Sequence, residues 1–304
     1  DLSLLSKKLF AELSKDLDFG WKENGLLMLY KTAAVEKEET EMTITSNKSG
    51  IEAHLLSAAE VQRMEPDVKL SVKGAVYYPG DAQVDPGKLM MQLQEYLVNK
   101  GVKIIQNTEV IDFLKTSNHP DSIRGVITKD GSAIYDRIVL AGGAWSGKLM
   151  SKLNIHLPMQ SGKGYSVMNS QLTEKIKIPA IMLEARATAT PIGNAVRFAG
   201  TMEIADINNE INKKRVTGIL TSVTNYYPDI QMNLPNLTNI WKGHRPCSPD
   251  GLPYIGKLGN LVVATGHGMM GISLGPATGK LVKELVCDQP VSMNINAFQP
   301  DRFN

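Results

Sequence analysis

The chain has 304 residues, 42% of them hydrophobic and 21% charged, which suits one large or two medium globular domains and excludes a disordered or fibrous chain. A formal net charge of +2 leaves no basic excess to neutralise phosphates, so a dedicated nucleic-acid surface is excluded. Two distant cysteines, Cys247 and Cys287, support neither a disulfide framework nor a zinc site, and a reducing, cytoplasmic setting is expected with no metal.

The chain opens without Met, inside an amphipathic helix whose stripe is Leu2, Leu5, Leu9 and Leu13, and in this it reads as a fragment or a processed product. Gly25 to Lys31 reads as a strand and Glu36 to Thr45 as a charged helix. Ser57 and Glu60 are spaced as a capping box before a short helix. Gly74 to Tyr78 is a strand with Pro79-Gly80-Asp81 as its turn. Asp85-Pro86 opens a helix, Asp as N-cap and Pro at the first helical position, with Leu89, Leu93, Tyr96 and Leu97 as its apolar face. Strands are predicted over Val102 to Ile105, Thr108 to Phe113, Ser122 to Thr128 and Tyr135 to Ala141, with a hairpin turn at Asp130-Gly131. A helix follows from Ala144 to Lys152.

From Met159 to Trp241 short β-prone runs alternate with polar turns, at Tyr165 to Met168, Ala180 to Glu184 and Ala195 to Gly200, and a polar helix lies within Ile207 to Asn225. A Pro/Gly-rich loop, the strand Leu261 to Ala264, a glycine loop and a helix to Leu285 complete the chain. This order predicts an α/β (α+β) fold of two interleaved domains, one α/β and one built on an antiparallel sheet. The divisions fall at 1–80 (mainly the first part of the antiparallel domain), 81–158, 159–240 (its second part) and 241–304. No apolar run approaches the roughly 20 residues of a membrane helix. The most apolar segment, Asn260 to Gly279, is punctuated by glycines and a histidine.

Gly266-His267-Gly268-Met269-Met270-Gly271 matches G-x-G-x-x-G and sits between a strand and a helix. Only 33 residues follow Gly271, without the second parallel strand and acidic residue that a first dinucleotide loop requires. Gly271, Gly275 and Gly279 instead lie four apart on one helix face. Two readings of that face stand: something flat and electron-rich lies against the positive helix start, or the helix simply packs tightly on the sheet.

The stretch from Trp241, WKGHRPCSPDGLPYIGK followed by NLVVATGHGMMGISLGPATG, resembles the C-terminal signature of the D-amino-acid oxidase (DAO) family of FAD-dependent oxidoreductases, with the bacterial D-amino-acid dehydrogenases and glycine oxidases nearest in pattern. Gln83-Val84-Asp85-Pro86, Ile138 to Ser146 (IVLAGGAWS), Lys163-Gly164-Tyr165-Ser166 and Arg302-Phe303 resemble further family segments, in family order. The resemblance implies that the α/β part is a three-layer FAD/NAD(P)-binding domain; it begins roughly a quarter of the way into a family member, so that domain is expected to be incomplete and its pyrophosphate loop absent from this chain. The uncovered sheet face that this leaves predicts self-association.

The resemblance implies non-covalent FAD and an amino-acid substrate, and it suggests a role for each of several residues. Arg245 would take the substrate carboxylate, which its planar fork suits; an ordinary surface ion pair is the alternative. Tyr165 would share that carboxylate or be a core tyrosine. His267 would contact flavin or substrate, or merely shape the backbone with its ring in solvent. Gly266, Gly268, Met269 and Gly271 would pass the flavin, and Ala141, Gly142 and Gly143 would let the adenosine half approach or form an ordinary strand-to-helix turn. Val110 would lie near the adenine, or be an ordinary core valine. Cys247 is too near Pro249-Asp250 to match the position of covalent flavin attachment, which Gly243 occupies. The implied reaction is oxidative deamination, by hydride transfer to flavin N5, of a D-amino acid or a glycine-like amine to a 2-oxo acid, with a quinone as acceptor. The protein would be cytoplasmic, with a peripheral place at the inner membrane face as a variant. The competing readings are an oxygen-using oxidase and a catalytically inactive fragment.

Overall fold

The computed structural model describes residues 1–116, 119–172 and 176–303. In chain order the elements are α1 (Leu2–Leu13), β1 (Leu26–Tyr30), α2 (Ala33–Lys48), β2 (His54–Ser57), α3 (Ala58–Met64), β3 (Gly74–Tyr78) and α4 (Pro86–Asn99). They continue with β4 (Val110–Thr116), β5 (His119–Thr128), β6 (Gly131–Ile134), β7 (Ile138–Leu140), α5 (Ser146–Met150), β8 (Gln160–Asn169), β9 (Ala180–Met182), β10 (Ala187–Ile192) and β11 (Ala195–Ile204). The last are α6 (Lys213–Tyr226), β12 (Ile240–Cys247), β13 (Tyr254–Leu258), β14 (Leu261–Thr265) and α7 (Gly271–Val286).

Helix starts follow local chemistry. The Asp85 carboxylate accepts from the backbone N–H groups of Gly87 and Lys88, at 2.9 and 3.1 Å, and Pro86 occupies the first turn of α4. Ser57 and Glu60 close the reciprocal capping box at α3.

Among the described residues, eight strands form one large sheet in the order β12-β8-β11-β10-β9-β1-β3-β2. The expected antiparallel sheet is mixed, because β9 runs parallel to β1. These strands come from chain regions about 150 residues apart, so no hairpin fixes their relative direction. Val167, Val196, Phe198 and Ile240 bury one face of the sheet against Val216, Ile219, Leu220 and Val223 of α6. Two three-stranded sheets stand apart: β13-β14-β7, in which β14 and β7 are parallel, and the meander β4-β5-β6. The mixed α/β class read from the sequence holds.

Two local expectations change. Val102 to Ile105 forms no strand, and Val102, Ile104 and Ile105 are exposed, as are Met90, Met91, Leu97 and Val98 of α4. A β-prone run becomes a strand only where a neighbour accepts its hydrogen bonds. The helix predicted from Ala144 to Lys152 is a short α-helix, α5, flanked by 3-10 turns at Gly143–Trp145 and Ser151–Leu153.

Arg302 ties the C-terminal segment to the turn before β13. It donates to Asp250 from Nε and Nη2, both at 2.9 Å, and to the carbonyls of Leu252, Pro253 and Gln299. Its guanidinium also stacks on Tyr254, 4.0 Å from the ring centroid. This largely buried fork holds the Asp250 carboxyl below its ordinary range. Arg302→Ala is expected to destabilise the fold by about 2–3 kcal/mol in urea denaturation, and Arg302→Lys to recover little of that, because an ammonium cannot reproduce the fork.

Candidate active site

The site is assembled around β12, the edge strand of the large sheet. An edge position tolerates Pro246, whose nitrogen cannot donate to a neighbour. Along β12 side chains alternate. Ile240 faces the α6 core, whereas Trp241, Gly243 and Arg245 share the opposite, open face. Gly243 pairs with Gly164 of β8, and a Cβ on Gly164 would run into the Arg245 guanidinium. Arg245 therefore lies flat over a strand stripped of side chains. Its Nη1 donates to the Thr201 carbonyl at 3.2 Å, which fixes the plane of the group. Burial holds the guanidinium below its ordinary pKa, and it forms no ion pair with a carboxylate among the described residues. That disposes of the surface ion pair as its role.

The far end of β12 meets the glycine loop. Cys247 forms an antiparallel bridge with His267, two residues beyond Arg245. The Trp145 ring meets the His244 ring edge-on at 5.9 Å, which brings the turn after β7 to the same strand. β7 and β14 are parallel neighbours, so the turns that follow them, Ala141–Gly143 and Gly266–Gly271, lie side by side at their carboxyl ends. That is where open α/β sheets bind ligands. Thr265 Oγ1 donates to the Gly143 carbonyl at 3.0 Å and fastens the two turns together.

Gly266, at φ +78°, is pressed against the Tyr254 ring. Gly143 and Gly268, at φ +56° and +53°, would each project a Cβ into open space. Gly275 and Gly279 also have nothing within 4 Å of a built Cβ, and Gly271 has only the His267 Cβ, at 3.7 Å. The glycine face of α7 is thus open, which overturns the tight-packing reading. No side chain caps the start of α7, which leaves its positive end without a side-chain acceptor.

His267 turns inward. Its Nε2 lies 2.9 Å from Thr278 Oγ1, and burial pulls its pKa down to about 4, so the ring is neutral at pH 7 and does not face solvent. Met269 is 71% exposed at the rim of the loop. Ala141 is exposed and Gly142 half-buried. Val110 opens β4 in the separate meander and pairs with Thr128.

Tyr165 is not brought to Arg245. Gly164 lies beneath the guanidinium, so the next residue points to the other face. There the Tyr165 hydroxyl donates to Glu203 Oε2 at 2.5 Å and accepts from the Asn212 N–H at the start of α6. Burial, then the Glu203 carboxylate, pushes its pKa up. His244 lies on that face too, between Ser161 Oγ and the Asn208 carbonyl. Sequence reading missed Arg197 and Trp241, which share the open face with Arg245. The usable signal for Arg197 was a lone arginine between Val196 and Phe198 in an alternating strand.

A profile described as FAD dependent oxidoreductase, DAO, matches residues 1–285. The chain belongs to the DAO family of FAD-dependent oxidoreductases. It is 34% identical over 289 residues to a D-amino acid dehydrogenase of Helicobacter pylori, which covers 93% of this chain and 68% of that protein. Among solved structures it resembles glycine oxidase from Geobacillus kaustophilus, with a TM-score of 0.89 and 26% identity over 100% of this chain and 83% of that one. It shares its fold with L-proline dehydrogenase from P. horikoshii, with a TM-score of 0.86 and 22% identity over 99% of this chain and 82% of that one.

FAD is the cofactor of this family, and the residues present fit its ring portion. Gly143 and Gly268 offer surface that any Cβ would fill, and the uncapped start of α7 offers donors to an anionic ring edge. No helix among the described residues is long and apolar enough to cross a membrane.

The inward His267 makes a pH prediction. Its folded pKa, about 4, lies below the unfolded value of 6.5, so the unfolded chain takes up the proton first. Stability should be full above pH 6.5 and fall as pH drops towards 4, by at most about 3 kcal/mol. Thermal melts of the protein and of His267→Asn across that range check this. The variant should lose that part of the slope.

Proposed function

We propose that the protein oxidises a small D-amino acid to its imine, which hydrolyses to a 2-oxo acid and ammonia, and that it does so as a dehydrogenase. The observation that carries this reading is Arg245: a desolvated guanidinium with no carboxylate partner among the described residues, two residues from the bridge to the open glycine loop. Its Nη1 is held by Thr201, and the Nε–Nη2 edge remains as a parallel pair of donors for a substrate carboxylate. Pinning the carboxylate there directs the α-carbon towards the turns at 141–143 and 266–271, and orientation of this kind supplies much of the rate in such reactions. The positive charge of Arg245 also favours the neutral form of a neighbouring substrate amine. When bound, FAD supplies the two-electron acceptor for the α C–H hydride. Tyr165, committed to Glu203 on the opposite face, has no part in this scheme.

The similarity to the Helicobacter pylori D-amino acid dehydrogenase supports the D configuration and an acceptor other than oxygen; the acceptor proposed is a quinone, reached from a cytoplasmic position at the membrane face. An oxygen-using oxidase is the second reading, favoured by the likeness to glycine oxidase. Adding D-alanine to the flavin-loaded protein without oxygen should bleach its visible absorbance. Slow peroxide release in air together with fast quinone-analogue reduction supports the dehydrogenase, and the reverse supports the oxidase. Arg245→Ala should raise KM for the amino acid by roughly 100-fold or more, the cost of losing a charge-assisted bidentate pair. An unchanged KM would remove the carboxylate assignment.

The exposed aliphatic strip along α4 and Val102 to Ile105 supports self-association of the chain. Light scattering at increasing concentration should show growing mass, and a strict monomer would contradict this.

A further inference from the structure

Val196 and Phe198 are fully buried against α6, so Arg197 between them projects from the open face of β11. Its guanidinium carbon lies 5.4 Å from the centroid of the Trp241 ring. Its strand position lies opposite Met168 of β8, and Trp241 lies opposite Ser166, so the Arg197 side chain runs diagonally across β8 to the ring. The Trp241 indole in turn overlies Gly243, and Gly243 pairs with Gly164, the residue beneath the Arg245 guanidinium. The two arginines, which start opposite Met168 and Gly162 of β8, therefore converge on the Trp241 ring and Gly164 from opposite ends of the open face.

Burial holds both guanidiniums below their ordinary pKa, and the charge of Arg245 adds to the effect at Arg197. Neither has a carboxylate counter-ion among the described residues. Two partly dehydrated like charges side by side are costly unless a ligand brings the opposite charge. One carboxylate can accept from two guanidinium groups at once, one on each oxygen, through charge-assisted bonds of about 2.8 Å.

We propose that Arg197 is a second ligand of the substrate carboxylate, clamping it against Arg245 beside Trp241 and making the site selective for the acid over its amide. This rests on the amino-acid reading of Arg245 given above. A specificity-determining arginine here is held by stacking on an indole, a geometry that lysine cannot share fully.

The test is a binding titration of the purified protein, read by tryptophan fluorescence, with pyruvate as the monocarboxylate probe and pyruvamide as its uncharged control. Arg197→Gln and Arg245→Gln should each weaken pyruvate by about 30-fold while pyruvamide moves by no more than about twofold. Arg197→Lys should fall between wild type and Arg197→Gln. If Arg197→Gln proves unfolded by circular dichroism, Arg197→Lys decides alone, and unchanged pyruvate binding in it overturns the proposal. If pyruvate weakens in Arg245→Gln but not in Arg197→Gln, the clamp is overturned and the amino-acid reading stands. Unchanged binding in both variants overturns both. If Arg197→Gln loses affinity only for oxaloacetate, a dicarboxylate, Arg197 serves a second acidic group and the clamp is again overturned.

Discussion

The Cys247–His267 bridge is the constraint on which the rest of the site depends. Through it the edge strand of an eight-stranded sheet is registered against the loop that opens α7, although that loop follows β14 of a different sheet. Hydrogen bonding along β12–β8 then sets how far Arg245 stands from that loop, to the residue. One residue of slippage would carry Arg245 to the α6 core and put Tyr165 and His244 in its place, since a strand exchanges all its side chains between faces with a shift of one. The glycine loop is held from its other side as well. Arg302 stacks on Tyr254, and Tyr254 backs Gly266. Asp250 orients Arg302, so the turn between β12 and β13, the last residues and the glycine loop form one connected support.

Charge in this region is handled by separation between faces. On the α6 side, polar groups are matched: Tyr165 with Glu203, His244 with Ser161 and Asn208, and Lys163 with Asn208 and the Glu210 carbonyl. On the open side, Arg245 and Arg197 are left without carboxylates among the described residues. A fold that satisfies its polar groups on one face and leaves two cations unmatched on the other is spending stability on recognition, a departure from local consistency of the kind that marks functional surfaces.

What could be read from sequence was what local chemistry determines. Ser57 with Glu60, and Asp85 with Pro86, state their helix starts within four residues, and both caps are present. The family segments marked Arg245 and the glycine loop as the place to look, and the two are neighbours across the bridge. Features that depend on partners distant in sequence were not legible. Val102 to Ile105 has strand composition but no adjacent strand. β9 takes its direction from β1, far away in the chain. The face of Tyr165 was decidable in principle, since the buried Val167 two residues on shares its side. The inward turn of His267 was not, because Thr278, its partner, lies two turns into α7 and nothing in the local pattern selects it.

Gly164 and Gly243 carry no chemistry of their own, yet Arg245 and Trp241 lie flat only because these positions are empty. The recognition surface is thus partly defined by absent atoms, and its evolutionary footprint should include them. A relative that kept both arginines but placed even an alanine at the position of Gly164 would retain every group able to bind an anion and still present it in the wrong plane. Transferring specificity between members of such a family by exchanging polar side chains alone would then fail for want of the floor beneath them.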